Sequence, residues 1–207
     1  MSFSKDWYAK APFNEMWYRG WPLVKCPLDL WSYHEIIDQT RPTLIVETGT
    51  FQGGSALYLA DQLEIVGGGE VISIDINRGT ELPQDDRIEF LEGLSSIDKR
   101  VLEHVKERAQ GKKTMVILDS DHSEDHVLKE LNLYAPLVSI GAYLIVEDTN
   151  RDAYRALYQS GMLDHDGCGP AEALRKWQPS NKGFKVDERR ERFLFSQNPG
   201  GYLKKIR

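Results

Sequence analysis

The chain has 207 residues, of which 41% are hydrophobic, and its formal net charge is −6. This length is enough for one good hydrophobic core, and an acidic charge without a basic patch argues against a nucleic-acid partner. No apolar run reaches the ~18 residues that cross a bilayer, so we expect no membrane segment. The two cysteines, Cys26 and Cys168, lie far apart and follow no signal peptide, so we expect a reduced, cytoplasmic protein.

An aromatic-rich segment at residues 1–40 precedes the predicted domain at residues 41–207. Four of the five tryptophans fall within its first 33 residues without a clear helical or strand period, at Trp7, Trp17, Trp21 and Trp31. Leaving so much apolar surface in water is unfavourable, so the segment must pack against something. We expect a lid over the site, a subunit interface or a staple on the sheet edge. The interface role would make the protein a homo-oligomer.

Between residues 43 and 147, strand and helix patterns alternate, which is typical of a parallel sheet with crossover helices. Strands are predicted at 44–47, 71–75, 88–91, 114–118 and 142–146, and helices are predicted to begin near Ser55, Ser96 and Glu124. After Thr149 we expect a helix at 167–177, then a hairpin of strands 184–186 and 193–195. The predicted fold is a single Rossmann-like, doubly wound α/β sheet, mostly parallel, with a C-terminal antiparallel hairpin.

The first predicted strand ends in an acid and opens into a glycine-rich turn, which indicates a nucleotide-binding loop. The glycines let the backbone approach a ligand closely, and the next helix can direct its N-terminal amides towards that ligand. The spacing is neither the dinucleotide fingerprint nor a phosphate loop. An acid here would repel a pyrophosphate but suits the cationic amino-acid end of S-adenosylmethionine. The candidate cofactor contacts are Glu47, Gly49, Thr50, Gln52, Gly53 and Ser55.

The second predicted strand ends in Asp75, at the position where the ribose hydroxyls of a nucleoside are bound. An acid about twenty residues beyond the glycine loop serves NAD equally well, so Asp75 predicts a nucleoside cofactor without naming it. The alternative for Glu47 and Asp75 is that each caps the following helix. The turn after the third strand, with Gly93 and Ser95, is predicted from its position to lie near the adenine.

Carboxylates also follow the next two predicted strands. Asp119 and Asp121 follow one strand, and Glu147 and Asp148 follow the other. The carboxyl ends of parallel strands meet at one edge, so these groups would repel one another unless a cation or protons neutralised them. A hard divalent ion, Mg²⁺ by preference, suits such oxygen ligands. One or two of the acids, Asp121 above all, can instead point to solvent or cap a helix.

Two histidines, His122 and His126, lie beside these acids. Their i, i+4 spacing suggests a zinc pair, but no Glu-x-x separates them and no cysteine is near. We expect His122 to be a loop residue with a pKa suited to a general base, and Asp121 is the other candidate to take a proton. His126 is predicted to be ordinary helix surface.

Taken together, four motifs resemble the cephalosporin hydroxylase and rhamnosyl O-methyltransferase family over about residues 13–196. They are Trp21-Pro22 with Pro27-Leu28-Asp29, Glu47-Thr48-Gly49-Thr50 with Gly53-Gly54-Ser55, Asp119-Ser120-Asp121-His122-Ser123, and Val146-Glu147-Asp148-Thr149. The resemblance implies a class I S-adenosylmethionine methyltransferase fold. It also implies metal-assisted methylation of a hydroxyl on a small-molecule acceptor, either a sugar or a secondary metabolite.

The chain is also similar to catechol O-methyltransferase in placing a strand-end acid before an acid pair. This similarity implies Asp119, Glu147 and Asp148 as metal ligands, with Asp121 as the competing match if the loop is shifted. Glu147 departs from the Asp-Asn pair of the catechol enzymes. Asp119 is a candidate cofactor contact as well. The bound ion would lower the pKa of the acceptor hydroxyl, and the enzyme would align that oxygen with the methyl sulfonium.

Three other functions stay open on the sequence alone. An NAD-dependent oxidoreductase would share Asp75, but the G-x-G-x-x-G motif is missing. A 2-oxoglutarate iron hydroxylase, which the family name invites, needs a two-histidine-one-carboxylate triad on a β-barrel, and this α/β pattern offers neither. A non-catalytic binding protein would use the aromatic N-terminus. The acceptor cannot be named from the sequence, because the loops that would shape its binding site, such as 150–169, contain no recognisable motif.

Overall fold

The computed structural model describes Trp7 and residues 10–78, 81–150 and 169–207. Its N-terminal part contains a 3₁₀ turn at Pro12–Glu15 and a short antiparallel pair of strands, β1 (Trp17–Tyr18) and β2 (Trp21–Pro22). Helix α1 follows at Pro27–Thr40.

Helix α1 begins within the first 33 residues, where the aromatic spacing showed no clear helical period, and it continues to Thr40. Pro27 at its first turn presets a helical φ, and its buried side chains Tyr33, Ile36 and Ile37 recur at helical spacing. This apolar stripe begins only after the tryptophan-rich stretch. The aromatic residues therefore obscured only the start of this helix, which packs against the sheet.

A seven-stranded sheet forms the centre of the fold. Five parallel strands run in the order β5-β4-β3-β6-β7, followed by the antiparallel strands β9 and β8. Strand order reverses between β3 and β6, which opens a crevice at the carboxyl ends of these strands. The strands are β3 (Leu44–Thr48), β4 (Glu70–Asp75), β5 (Ile88–Glu92), β6 (Thr114–Leu118), β7 (Tyr143–Val146), β8 (Phe184–Val186) and β9 (Tyr202–Lys205).

Helices cover both faces of the sheet. Alternate residues of each buried strand point to opposite faces, so β3 contributes Val46 to one core and Ile45 to the other. The first core also contains residues of α3, α4 and α5, and the second contains residues of α1 and α2. These helices are α2 (Gly54–Ile65), α3 (Lys99–Arg108), α4 (Glu124–Tyr134) and α5 (Pro170–Trp177).

The strand register brings the predicted acids together. Thr48 of β3 pairs with Leu118 of β6, and Leu118 pairs with Val146 of β7. The three strands therefore end at the same level. Asp119 and Glu147, which directly follow β6 and β7, emerge side by side at the crevice.

The predicted doubly wound, mostly parallel sheet is confirmed, but one of its strands was assigned to the wrong residues. β8 lies at the predicted position, whereas its hairpin partner is β9 and not residues 193–195. Leu194 has a left-handed φ of 65° and is 98% exposed, while Tyr202 and Leu203 are fully buried. Within the apolar run at 193–195, Leu194 therefore lies on the surface, whereas Phe193 and Phe195 are half-buried. The burial of β9 between β7 and β8 stabilises the sheet more than pairing of residues 193–195 would.

Helix starts agree with the predictions to within a few residues. α3 begins at Lys99 rather than near Ser96, because Asp98 caps it by accepting from the Arg100 backbone N–H at 2.8 Å. The helix predicted at 167–177 is α5, and residues 167–168 lie outside the described part of the chain. Among the described residues, no helix combines the length and apolarity needed to cross a bilayer.

A core substitution in α1 tests whether this helix belongs to the folding unit. Ile36 is 0% exposed, so Ile36→Ala should lower the free energy of unfolding by about 2–5 kcal/mol through lost burial and a cavity. The matched control is Ile140→Ala at a position that is 67% exposed, which should change it by no more than about 0.5 kcal/mol. Urea denaturation measures both. Equal, small effects would mean that residues 1–40 pack loosely on an independent domain.

Candidate active site

A cleft of about 1010 Å³ lies at the carboxyl ends of β3, β4, β6 and β7. Nine of the predicted site residues line it: Gly49, Thr50, Ser55, Asp75, Ser95, Asp119, Asp121, His122 and Asp148. The predicted residues Glu47, Gln52, Gly53, Gly93 and Glu147 are not part of its lining. The N-terminal segment adds Asn14, Pro22, Val24 and Lys25 to the wall.

The glycine-rich loop is held by two close backbone approaches. Gly49 has a φ of 89°, and a Cβ there would lie 1.9 Å from the carbonyl oxygen of Asp119. A Cβ at Gly54 would lie 2.1 Å from the carbonyl oxygen of Pro22. Only glycine therefore allows the loop to contact both β6 and the N-terminal segment. Gly53 precedes α2 as its N-cap residue.

Asp75 organises the same loop from β4. Its Oδ2 accepts hydrogen bonds from the backbone N–H groups of Thr50 and Phe51, both at 3.0 Å, and its Oδ1 accepts from Asn77 N–H at 2.9 Å. The backbone N–H of Gly93 donates to the carbonyl oxygen of Asp75 at 2.8 Å. Gly93 thus fixes the turn at Asp75 and is not part of the cleft lining, whereas Asp75 itself lines the cleft.

Glu47 lies one layer below the cleft and is fully buried. Its Oε2 accepts a hydrogen bond from the Ser73 hydroxyl at 2.7 Å, and its Oε1 has no partner among the described residues. Burial raises the pKa of Glu47 to about 7, although the nearby ammonium of Lys25 opposes this shift. Glu47 is therefore a carboxyl group that titrates near neutral pH.

Asp119, His122 and Asp148 form a cluster that faces the cleft. One ligand atom from each lies within 4.8 Å of the others, a spacing that a single metal ion could bridge. His122 Nε2 lies 3.9 Å from Asp119 Oδ1 and 3.5 Å from Asp148 Oδ2. Burial raises the pKa of Asp119, and the Lys25 ammonium opposes this effect.

Backbone strain marks Asp148 at the end of β7. Its φ of 54° is uncommon for a residue other than glycine, and its backbone N–H donates to Asn198 Oδ1 at 2.9 Å. Such strain persists only where the surrounding structure imposes it, and it is concentrated at functional sites. The C-terminal loop that carries Asn198 therefore aims Asp148 into the cleft.

Glu147 is not part of the cleft lining and is 3% exposed. Its Oε1 accepts hydrogen bonds from Lys25 Nζ and from the Tyr33 hydroxyl, both at 2.5 Å. Lys25 also donates to Asp119 Oδ2. Burial disfavours the ammonium, but the charges of Asp119 and Glu147 outweigh it and raise the pKa of Lys25.

Lys25 is a site residue that the sequence analysis missed. The only signal in the sequence is a lone lysine in the apolar stretch Leu23-Val24-Lys25-Cys26-Pro27. Its partners are 94 and 122 positions further along the chain. No local spacing could reveal these ion pairs.

Asp121 and His126 differ in their surroundings. Burial opposes ionisation of Asp121, but hydrogen bonds from Ser123 outweigh it and lower the pKa of Asp121. His126 lines the cleft, with Nε2 at 3.1 Å from Ser96 Oγ and 3.2 Å from Ser120 Oγ. The prediction that His126 is ordinary helix surface is wrong, because α4 turns this residue towards β6.

The sheet order and the glycine loop define a methyltransferase fold of the S-adenosylmethionine-dependent class. The chain belongs to the rhamnosyl O-methyltransferase/CmcI family, whose sequence model matches residues 11–206. The rhamnosyl O-methyltransferase of Mycobacterium tuberculosis H37Rv is 34% identical over 210 residues, covering 97% of this chain and 82% of that protein. The Mycobacterium leprae protein of the same name is 32% identical over 208 residues, covering 97% and 88%.

Solved structures share the fold. CmcI with Mg and SAM is 22% identical, with a TM-score of 0.70 over 98% of this chain and 84% of that chain. MycE from the mycinamycin biosynthetic pathway, in complex with Mg, SAH and mycinamycin VI, is 20% identical, with a TM-score of 0.58 over 84% and 48%. The predicted family and fold are confirmed, and with them the enzyme class of O-methyltransferases.

The raised pKa of Glu47 predicts a pH-dependent stability. The folded protein favours the protonated carboxyl group, so the stabilisation is present below pH 4.5 and is lost as the pH rises through about 7. Glu47→Gln keeps the neutral shape at every pH. The quantity to compare is the free energy of unfolding of Glu47→Gln minus that of wild type. This difference should be larger at pH 8 than at pH 4.5 by about 1–3 kcal/mol.

Urea denaturation at the two pH values measures this difference. Glu64→Gln is the control, because the Glu64 side chain is 67% exposed, and it should follow the wild-type pH dependence. If the Glu47→Gln difference were the same at both pH values, Glu47 would not titrate near neutrality in the folded protein.

Proposed function

We propose that this protein transfers the methyl group of S-adenosylmethionine to a hydroxyl of a sugar or natural product, with a divalent cation, Mg²⁺ by preference, beside the acceptor. The observation that carries the proposal is the meeting of Asp119, His122 and Asp148 in the same cleft as the glycine loop and Asp75. One cleft would then hold the methyl donor, the cation and the acceptor together.

The cofactor would bind over the glycine loop. Asp75 already accepts backbone N–H groups there, and its carboxylate faces the cleft where ribose hydroxyls can donate to it. Ser95, Ser96 and Ser120 also line the cleft, and we propose that the adenine would be bound beside them. Glu47 would act from below the loop, through its charge, on the methionine end of the cofactor.

The donor set fits a hard divalent ion. Asp119 and Asp148 offer carboxylate oxygens at the spacing of a shared ion, and Glu147 is a third carboxylate one layer deeper. When bound there, the ion would polarise the acceptor hydroxyl and lower its pKa. Burial and mutual repulsion make these acids costly to leave without a cation, and the Lys25 ammonium supplies one positive charge to Asp119 and Glu147.

His122 would accept the acceptor proton. In this role the carboxylates would hold the ion, and His122 Nε2, which lies 3.9 Å from Asp119 Oδ1 and 3.5 Å from Asp148 Oδ2, would take the proton instead of coordinating the ion. The acceptor oxygen then forms its bond to the methyl carbon while the carbon–sulfur bond breaks, and S-adenosylhomocysteine leaves. Asp121 is the second candidate base, because it lies at the cleft rim and its lowered pKa keeps it ionised.

The acceptor class follows from the relatives. Mycobacterial relatives are named rhamnosyl O-methyltransferases, and MycE has been solved with mycinamycin VI. We propose a small hydroxylated acceptor of this kind, a glycoside or a natural product. A reduced cytoplasmic location, a homo-oligomer and the separation of residues 1–40 from the domain at 41–207 all remain predictions. The presence of Pro22 and Val24 in the cleft wall favours a lid role for the N-terminal segment.

Asp75 gives a direct test of the cofactor. Asp75→Ala should weaken S-adenosylhomocysteine binding by about 1.5–3 kcal/mol, because the ribose hydroxyls lose a charged acceptor. Asp38→Ala, on the exposed side of α1, is the control and should bind as wild type does. Isothermal calorimetry measures both. Comparable affinity for NAD, or no S-adenosylhomocysteine binding by folded wild-type protein, would end the methyltransferase assignment.

Chelation tests the metal. With labelled S-adenosylmethionine and a panel of rhamnosyl glycosides, excess EDTA should abolish methyl transfer and Mg²⁺ should restore it. Asp148→Asn should lower turnover far more than cofactor affinity, because the ion acts on the acceptor. Asp125→Asn, on the exposed face of α4, is the matched control. Full transfer in excess EDTA would show that these acids serve the cofactor or the fold instead.

A further inference from the structure

The ammonium of Lys25 occupies the space between two of the proposed metal ligands. It contacts Asp119 Oδ2 and Glu147 Oε1 together, and it is 3% exposed. The lysine is the only ammonium that the described part of the chain brings to these acids. Removing one partner from a buried ion pair is costly, so the acids depend on this cation when no metal is bound.

A divalent ion cannot use the same two oxygens while Lys25 holds them. Mg²⁺ binds oxygen at about 2.0–2.1 Å, so an ion shared by Asp119 Oδ2 and Glu147 Oε1 would fall where Lys25 Nζ now lies. Two positive charges at such close range in a buried site also repel strongly. The ammonium and the ion are therefore alternative partners for this acid pair.

The cleft offers space for the Lys25 side chain when a divalent ion displaces its ammonium. Its side chain already lines the cleft, on the segment that joins β2 to α1. The backbone of that segment is held in place, because Leu23 N–H donates to Met16 O at 2.9 Å and Pro22 O packs directly on Gly54. A rotation of the side chain into the cleft is thus sufficient, without detachment of the segment.

We propose that Lys25 is a built-in cation that neutralises Asp119 and Glu147 in the metal-free protein and is displaced into the cleft when a divalent ion binds them. This inference rests on the metal site of the proposed function. It makes Lys25 a positioning residue, because metal loading would deliver its ammonium to the space where the acceptor binds. The N-terminal segment would then sense whether the metal is present.

A competing arrangement leaves Lys25 in place. The ion would use Asp119 Oδ1 and Asp148 only, and the lysine would keep Glu147 out of the coordination shell. The two arrangements differ in whether the Lys25 amine becomes accessible when Mg²⁺ binds.

Lysine footprinting of the wild-type protein separates them. Brief acetylation followed by mass spectrometry should find Lys25 protected in EDTA, because it is buried and paired, and several-fold more modified in saturating Mg²⁺. The other lysines, such as the exposed Lys99, serve as internal standards and should not respond to the metal. Protection of Lys25 in Mg²⁺-saturated protein would overturn the inference while leaving the metal site intact.

Calorimetric titration with Mg²⁺ alone provides a second measurement. Lys25→Met should bind Mg²⁺ about tenfold more tightly than wild type, which corresponds to about 1.4 kcal/mol, because the ion no longer competes with the ammonium. Without metal, the variant should melt at a lower temperature than wild type, and Mg²⁺ should close that gap. Lys112→Met is the matched control, because Lys112 pairs with Glu70 far from the cleft.

The outcomes distinguish this inference from the proposed function. Unchanged Mg²⁺ affinity in Lys25→Met, with wild type binding the ion, would overturn the displacement of Lys25 alone. Absence of Mg²⁺ binding by folded wild-type protein would overturn the metal site and this inference together. The footprinting needs no variant, so it stays decisive even where Lys25→Met fails to fold.

Discussion

The convergence of carboxylates at one edge of a parallel sheet is the constraint on which this site depends. The level ends of β3, β6 and β7 bring Glu47, Asp119, Glu147 and Asp148 together, and water is largely excluded from two of them. Three of these acids are accommodated in different ways. Glu47 shifts its pKa towards neutrality, Glu147 is held by an ammonium and a phenol, and Asp148 is strained towards the cleft. The chemistry proposed for the site uses this concentrated negative charge.

The two ends of the described chain meet beneath these acids. Tyr33 of α1 donates to Glu147 and accepts from the side-chain amide of Asn198, whose carbonyl oxygen accepts the backbone N–H of Asp148. Asp29 of the same helix accepts hydrogen bonds from Gln197 N–H at 2.8 Å and from the Tyr202 hydroxyl at 2.7 Å. Distant parts of the sequence thus form one supporting layer, which fixes the acids more firmly than their own loops could.

Local patterns in the sequence predicted the sheet, its helices and the acids at the strand ends, because these depend on short periods and on parallel topology. They failed where the deciding contact is distant along the chain. The run at 193–195 looked like a strand, yet its pairing position is taken by β9, and the local pattern contains no information about that competition. His126 appeared exposed by composition, but the packing of α4 turns it to the cleft. Lys25 was not predicted as a site residue, because its partners Asp119 and Glu147 are also distant along the chain.

The insertion of β9 between β7 and β8 bears on how the protein is made. Synthesis proceeds from the N-terminus, and domains fold as units as the chain emerges. β7 is among the parallel strands that are made first, but its second neighbour, Tyr202–Lys205, follows it much later along the chain. Until those residues leave the ribosome, the β7 edge is unpaired and Asp148 lacks the Asn198 contact. The nascent chain therefore carries an open strand edge beside an unfinished site, and such an edge can pair with another chain.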